Sequence, residues 1–215
     1  MDTRTAATRF RQLHQGPQPL LLPNAWDAGS ARVIEVSGAQ AIATTSAGLA
    51  WARGYSDQYA LPVRFLVATV SEIARVIRVP LSVDMEAGYA DELAAIADNA
   101  SALASAGAVG INLEDGTLSP EVLSERIAAV KRGAARAGVD LFVNARCDVY
   151  LKGLTTPERA LDESIKRGLK YREAGADGFF LPGIVDPAVI RQVVAAVQLP
   201  LNLPEAVCKR LLFVE

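Results

Sequence analysis

Four times in this chain a helical stretch closes on a small residue, a glycine and a second small residue, and an apolar run begins at once. The four closures are Ser37-Gly38-Ala39, Ala106-Gly107-Ala108, Ala137-Gly138-Val139 and Ala174-Gly175-Ala176, and the runs after them cover residues 41–45, 109–113, 141–143 and 179–181. Glycine at the end of a helix supplies the left-handed cap that turns the chain back. A helix that leads straight into a strand, repeated, makes βαβ units and a parallel sheet. Further apolar runs at 20–22, after Pro80, and at 199–203 bring the number of strands to seven. The runs are apolar throughout rather than alternating, as strands covered on both faces are. Between them the pattern predicts helices over 3–15, 28–37, 62–78, 91–106, 120–138, 157–175 and 187–197, and a loop over 51–61.

Two closures of such a sheet compete, a (β/α)8 barrel of the TIM type and an open doubly wound sheet. Polar residues stand at the ends of most of the strands, which favours the barrel, whose sites are built from the carboxyl ends of several different strands. No G-x-G-x-x-G or P-loop stretch is present, which counts against an open nucleotide-binding sheet. The expectation is a single barrel domain over residues 1–215.

Composition narrows the function. The 215 residues are 51% hydrophobic, which excludes disorder, and no uninterrupted apolar run is long enough to span a membrane. A net charge of −2 gives no electrostatic case for nucleic acid. Residues 1–10 lack an apolar signal core. Cys147 and Cys208 are too few for a disulfide framework and read as reduced thiols of a cytoplasmic protein. His14 is the only histidine and reads as a surface residue of a polar helix, so histidine-based triads and zinc sites are excluded.

The acidic residues gather at strand ends. After Pro80 the run Leu81-Ser82-Val83 meets Asp84-Met85-Glu86, then Gly88-Tyr89. On a continuing strand an i, i+2 spacing puts both carboxylates on one face. Two hard oxygen donors side by side suit Mg²⁺ or Mn²⁺. The other polar ends are Asn24 and Asp27; Ser46; Glu114 and Asp115; Asn144, Arg146 and Asp148; and Asn202, with Asp57 on the loop after the second strand. Carboxylates brought together raise one another's pKa unless a cation relieves them. An arginine among them suits a carboxylate substrate, which it can bind through two hydrogen bonds.

These segments resemble the isocitrate lyase/phosphoenolpyruvate mutase superfamily. The matching stretches are Leu21-Leu22-Pro23-Asn24-Ala25-Trp26-Asp27, Thr44-Thr45-Ser46-Ala47-Gly48, Gly54-Tyr55-Ser56-Asp57, Val83-Asp84-Met85-Glu86-Ala87-Gly88-Tyr89, Asn112-Leu113-Glu114-Asp115, Asn144-Ala145-Arg146-Cys147-Asp148 and the run from Glu173 to Gly183. The resemblance implies a Mg²⁺-dependent site for 2-oxo acids and their enolates. Carried over by motif, Asp84 would ligate the metal directly, and Asp57, Glu86 and Glu114 would hold its waters. Ser46, Ala47 and Gly48 would bind the substrate carboxylate, Arg146 the substrate or its leaving portion, and Tyr55 and Asn202 would line the pocket. The catalytic set would be Arg146, Asp57 and Glu114. The implied reaction is carbon–carbon cleavage of a small 2-oxo or 2-hydroxy dicarboxylate. Alternatives are phosphorus–carbon chemistry of the mutase kind and a non-catalytic relative that binds a metal and a 2-oxo acid.

Two departures qualify the likeness. The family's lyases carry a Lys-[Lys/Arg]-Cys-Gly-His loop after the fourth strand, where this chain has Asp115-Gly116-Thr117-Leu118-Ser119-Pro120. The long lysine- and asparagine-bearing gating loop of the mutases is also missing. After Asn202 only 13 residues follow, too few for a helix and an eighth strand, since a parallel crossover needs about a dozen residues or more. The expectation is a barrel cut short after strand seven, a terminal helix or loose tail over 205–215, and a homo-oligomer formed through the open seam. Among individual residues, Trp26 and Trp51 are expected to pack under loops, Asp148 to cap a loop, and Asp115 to place negative charge at the start of the following helix.

Overall fold

The computed structural model describes residues 2–204. In chain order its elements are α1 (Thr3–Leu13), β1 (Asn24–Ala25), α2 (Ala28–Val36), β2 (Ile42–Thr44), α3 (Ser46–Ala52), α4 (Val63–Val76), β3 (Leu81–Asp84) and α5 (Leu93–Ala106). They continue with β4 (Gly110–Glu114), α6 (Pro120–Arg136), β5 (Phe142–Arg146), α7 (Val149–Lys152), α8 (Pro157–Glu173), β6 (Gly178–Phe180), α9 (Pro187–Val197) and β7 (Leu201–Asn202). Neighbours in the sheet follow chain order from β1 to β7. The pairings are parallel, as between β2 and β3 or β5 and β6. A doubly wound sheet reverses its strand order at a switch point; this one does not, so the order is that of a (β/α) barrel. No helix among the described residues is long and apolar enough to cross a membrane.

The four repeated glycines do what the sequence requires of them. Gly38, Gly107, Gly138 and Gly175 all have positive φ, between 71° and 115°, where a side chain would be strained. The boundaries differ in instructive places. The first strand is Asn24–Ala25 rather than residues 20–22. Leu21 is exposed, while Leu20 and Leu22 pack partly against α1. Pro23, which has no N–H to donate, enters the sheet by accepting from the Ala43 amide at 2.9 Å. Two short helices, α3 and α7, occupy stretches that sequence pattern left as loop. Seven and four residues are too few to show a helical period.

The contacts divide the chain into two compact units, one running to Asn112 with Ala129–Phe142, the other comprising Leu113–Ala128 and the described chain from Val143 onward. The boundary falls within β4, α6 and β5.

In the first unit, α1 buries Ala6, Ala7 and Phe10 against Ala41, Val109 and Phe142, which lie at the amino ends of β2, β4 and β5. Burying Phe10 is worth about 2–3 kcal/mol. Its ring needs Gly110, where an added Cβ would stand 2.5 Å from Phe10 Cε1. His14 belongs to this packing and is not a surface residue. It stacks on Phe142 at 4.3 Å, and its Nδ1 lies 2.8 Å from the Phe10 carbonyl oxygen. The polar face of α1 hid its apolar stripe from a reading by composition.

A second close approach joins α5 to the end of α6. A Cβ on Gly133 would lie 2.0 Å from the carbonyl oxygen of Ala97, so the two helix backbones touch where only glycine fits. Gly133→Ala must push the helices apart, at about 1–3 kcal/mol. A melt should show the midpoint lowered by roughly 5–10 °C; an unchanged midpoint would mean the contact is not tight.

In the second unit, α8 and α9 meet over Gly168, where a Cβ would stand 2.8 Å from Val197. Arg172 closes the end of α9 by donating to the Val197 carbonyl at 2.8 Å. Phe179 on β6 and Tyr171 on α8 are both fully buried beneath them.

Candidate functional site

In the first unit the strand-end carboxylates lie at the carboxyl end of β3. Asp84 is the last residue of that strand, and the chain then leaves the sheet. Glu86 has φ +47°, so the pair does not share one face of a continuing strand. A turn brings them together instead, with the Glu86 amide donating to Asp84 Oδ1 at 3.3 Å. Asp84 Oδ2 accepts from the Ser46 amide at 3.3 Å, and the Asp84 amide donates to Thr44 Oγ1 at 3.0 Å.

Glu86 is buried and held from both sides. The Tyr89 hydroxyl donates to Oε1 at 2.6 Å and the Tyr59 amide to Oε2 at 2.7 Å. Burial first, then the hydrogen bond to Glu86, then the charges of Glu86, Asp84 and Asp57 push the Tyr89 hydroxyl pKa far above its ordinary value. Three carboxylates therefore act on one phenol. Neither Asp57 nor Asp84 has a cationic partner among the described residues.

Backbone strain collects at the same place. Of the five non-glycine residues with positive φ among those described, Gln58, Tyr59, Glu86 and Tyr89 belong to this cluster, and only Gln198 lies elsewhere. Each left-handed side chain costs on the order of 1 kcal/mol. Strain of this kind persists where the surrounding structure fixes it and is commonest at functional sites.

The Ser46-Ala47-Gly48 segment is the first turn of α3, capped by Thr45. The Ser46 amide is turned toward Asp84, and the Gly48 amide is 3.5 Å from Thr45 Oγ1. A side chain at Gly48 would meet Thr45 Cγ2 at 2.7 Å and Trp26 Cβ at 3.2 Å. Tyr55 is half-buried with its ring 6.0 Å from Phe65 of α4. Trp26 and Trp51 are exposed, 46% and 68%, and do not pack under loops as expected. Asp27 caps α2 through the Ser30 amide at 2.6 Å, which accounts for its place after β1.

In the second unit the strand-end residues pair among themselves. Arg146 lies 3.0 Å from Glu114, and its Nε and Nη2 donate to the two oxygens of Asp148 at 2.7 and 3.3 Å. Lys152 approaches the same Asp148 at 3.4 Å. Asp148 is thus a buried partner of Arg146 rather than a loop cap; its side chain makes no capping bond to α7. Behind it Asp115, fully buried, accepts from the Asp148 amide at 2.8 Å, from Arg167 Nη1 at 2.8 Å and from the Tyr171 hydroxyl at 2.7 Å. Asp115 is therefore the centre of a buried network and not a charge at the start of α6. Arg167 and Tyr171 were missed in the sequence because their partner lies about fifty residues away. The one available signal was an arginine and a tyrosine, i and i+4, inside an otherwise ordinary amphipathic helix.

Asn144 is buried on β5 and Asn202 ends β7, opposite Phe180. Cys147 is buried too. Burial first and then the charge of Asp115 push its thiol pKa well above the ordinary value, so it holds no thiolate near neutral pH. Cys147→Ser should accordingly leave any turnover within several-fold. A complete loss with folding intact would make this thiol the acid or base. Cys208 and the 205–215 tail lie outside the described residues.

The donors fit Mg²⁺ of one kind only. Among the described residues no three His, Cys, Asp or Glu side chains are grouped closely enough to cage a cation directly. In the first unit Asp57, Asp84 and Glu86 are therefore not a cage of three direct carboxylate ligands. An oxygen-only set around one strand-end carboxylate suits an ion that keeps most of its water, as Mg²⁺ does.

Comparison with known proteins gives the chain its relatives. The family model for phosphoenolpyruvate phosphomutase matches residues 10–209. A solved structure of a provisionally assigned phosphonomutase from Burkholderia cenocepacia J2315 is 43% identical, with a TM-score of 0.88 over 93% of this chain and 84% of that one. An uncharacterised protein of Mycobacterium tuberculosis is 34% identical over 197 residues, 90% of this chain and 72% of that one. Oxaloacetate decarboxylase of Paraburkholderia xenovorans is 30% identical over 213 residues, 95% of this chain and 71% of the enzyme. This chain spans between 62% and 72% of the length of its curated relatives.

Proposed function

The chain belongs to the isocitrate lyase/phosphoenolpyruvate mutase superfamily, and from that premise we propose that it is a Mg²⁺-dependent lyase breaking a carbon–carbon bond in a small 2-oxo or 2-hydroxy dicarboxylate. The observation that carries the reading is the convergence of Asp57, Asp84 and Glu86 on the Tyr89 hydroxyl, with no cation to balance Asp57 or Asp84 among the described residues. Such a set calls for a bound cation, since carboxylates gathered without one oppose each other's ionisation. The superfamily's relatives include lyases and a decarboxylase.

In this reading Asp84 would ligate the metal, while Asp57 and Glu86 would orient its waters. A bound Mg²⁺ would supply Lewis-acid stabilisation of the negative charge that develops on a 2-oxo acid. The segment Ser46–Gly48 would receive the substrate carboxylate, with Tyr55 of the same unit beside it. From a 2-oxo dicarboxylate the bond to the departing carboxylate would break with its electron pair left on the 2-oxo fragment, CO2 would leave, and a proton taken up at the freed carbon would give the 2-oxo acid. From a 2-hydroxy dicarboxylate the hydroxyl would give up its proton, its carbon would become the carbonyl of the 2-oxo acid, and the electron pair would go to the other fragment, which takes up a proton. In the second unit Arg146 would take an anionic ligand only by exchanging Glu114 or Asp148 for it, because its guanidinium is engaged with both. The working assembly in this proposal is a homo-oligomer. The exposed Leu21, Val33, Val36 and Trp51 of the first unit supply apolar surface for one.

A second reading is favoured by the 43% identity to the provisionally assigned phosphonomutase. There the scissile bond is phosphorus–carbon. One assay separates the two. Pyruvate and glyoxylate release, coupled to a dehydrogenase, is followed over a panel of 2-oxo and 2-hydroxy dicarboxylates and phosphonopyruvate, with Mg²⁺ or EDTA and with Mg²⁺ alone as control. Mg²⁺-dependent release from a dicarboxylate supports the lyase. Turnover of phosphonopyruvate alone, followed by phosphorus NMR as loss of the phosphonate resonance to a phosphate ester or to free phosphate, supports the second reading, and binding of oxalate without turnover of any acid supports a non-catalytic relative.

A further inference from the structure

Glu86 connects two parts of the first unit that are far apart in sequence. Its Oε1 takes the Tyr89 hydroxyl at 2.6 Å, and its Oε2 takes the Tyr59 amide at 2.7 Å. Tyr59 lies two residues after Asp57, on the 53–61 segment between α3 and α4. That segment begins with local bonds, Gly54 amide to Trp51 carbonyl and Tyr55 amide to Ala50 carbonyl, each about 3 Å. Its far side reaches Glu86 only because Gln58 and Tyr59 both take left-handed backbone, at φ 70° and 65°. Glu86 and Tyr89 are left-handed as well. Four side-chain-bearing residues in an unfavourable conformation thus converge on one carboxylate. Nothing in their own sequences calls for it, since none is Gly, Asn or Asp.

We propose that Tyr89 is a positioning residue: by fixing Glu86 it fastens the 53–61 segment, and so sets Asp57 beside Asp84. A buried carboxylate with one oxygen on the Tyr89 hydroxyl and the other on the Tyr59 amide cannot rotate without breaking a charge-assisted hydrogen bond. The tyrosine hydroxyl acts here as a donor at fixed geometry and transfers no proton. The inference rests on the metal reading above for its consequence, but the fastening itself is independent of any metal.

Two measurements test it. Oxalate is titrated by calorimetry, with and without Mg²⁺, into the wild type, Tyr89→Phe, Glu86→Ala and the double variant. Tyr89→Phe should bind oxalate with Mg²⁺ about tenfold more weakly, the scale of one hydrogen bond to a charged group, with the melting midpoint lowered by no more than roughly 10 °C so that the variant stays folded. In the Glu86→Ala background, where the hydroxyl has no carboxylate to hold, the same substitution should change affinity by less than about twofold. Independent, multiplying losses would overturn the proposal, because Tyr89 would then act other than through Glu86. Separately, the metal-free proteins are treated with trypsin and the cut after Arg53, an exposed residue at the start of the segment, is timed by mass spectrometry. Tyr89→Phe and Glu86→Ala should each speed that cut several-fold, and the double variant no more than Glu86→Ala alone. Equal rates in all four proteins would overturn the fastening. If the wild type binds no oxalate with Mg²⁺, the metal reading falls while the cleavage rates still decide the role of Tyr89.

Discussion

Asp84→Ala should abolish Mg²⁺-dependent oxalate binding, whereas Glu86→Ala should weaken it by about 10- to 100-fold and leave it measurable. The difference follows from where each carboxylate stands. Asp84 is half-buried at the end of β3, and its oxygens meet only backbone amides of Ser46 and Glu86 at 3.3 Å. Such long, neutral contacts leave it the oxygen donor best placed to meet a cation. Glu86 already has the Tyr89 hydroxyl and the Tyr59 amide at shorter distances, and suits the outer sphere of a hydrated ion. Loss of an outer-sphere partner typically costs one to two orders of magnitude in metal affinity; loss of the direct ligand removes the site. Calorimetric titration of oxalate with and without Mg²⁺ reads both variants. Unchanged binding in Asp84→Ala would remove the proposed site, and equal losses in the two would mean both carboxylates touch the ion.

Asp115→Ala should be the most destabilising single substitution in the second unit, by about 3–5 kcal/mol. It takes the shared acceptor from the fully buried Tyr171 hydroxyl, from the Asp148 amide and from the Arg167 guanidinium, whose side chain is only 10% exposed and which keeps Glu163 at 2.7 Å and the Leu118 carbonyl at 3.3 Å. Breaking a buried ion pair from one side carries a cost of that size because the remaining charge stays desolvated. A charge at a helix start would be worth only about 0.3–1 kcal/mol, so the two accounts of Asp115 differ by several-fold in effect. Chemical denaturation of the purified variant decides between them, with Asp115→Asn as the milder companion that keeps the shape and one acceptor oxygen. A loss under 1 kcal/mol in Asp115→Ala would restore the helix-charge account. The substitution should also loosen Arg146, since the Asp115 carboxylate holds the Asp148 amide whose own side chain grips that arginine.

The strand count, the parallel order and the glycine closures were legible because each rests on local chemistry. A left-handed cap needs glycine, and a strand covered on both faces needs an unbroken apolar run. The acidic strand ends were legible for the same reason, since Asp84 and Glu114 each close such a run, with Glu86 two residues beyond Asp84. The pairing of Arg146 with Glu114 was legible as an alternative to a site role, since both stand at strand ends, but the partners of Asp115 and Asp148 were not. Asp148 read as a loop cap, and Asp115 as a charge at a helix start in preference to a residue behind the site, because the arginines and the tyrosine that bury them are either on the same strand end or some fifty residues on. His14 misled in the opposite direction, its polar helix concealing an aromatic stack on Phe142. The turn that seats Glu86 was equally hidden, because left-handed backbone at a glutamate has no signature in composition.

The left-handed residues around Glu86 bear on how this protein can be made hardier. A routine programme of stabilisation would mark Gln58 and Tyr59 for replacement by glycine, since each sits where a side chain is penalised. At Gln58, whose left-handed backbone helps to carry Tyr59 to Glu86, such a change would relieve the penalty but also free part of the turn that makes the fastening. At Tyr59 and Tyr89 the same logic turns against the engineer. Freeing the backbone there would let the neighbouring segment wander, so a more heat-tolerant chain would hold the proposed cation less firmly. A trade between robustness and work is well known in enzymes, and here it would fall on Tyr59, Glu86 and Tyr89.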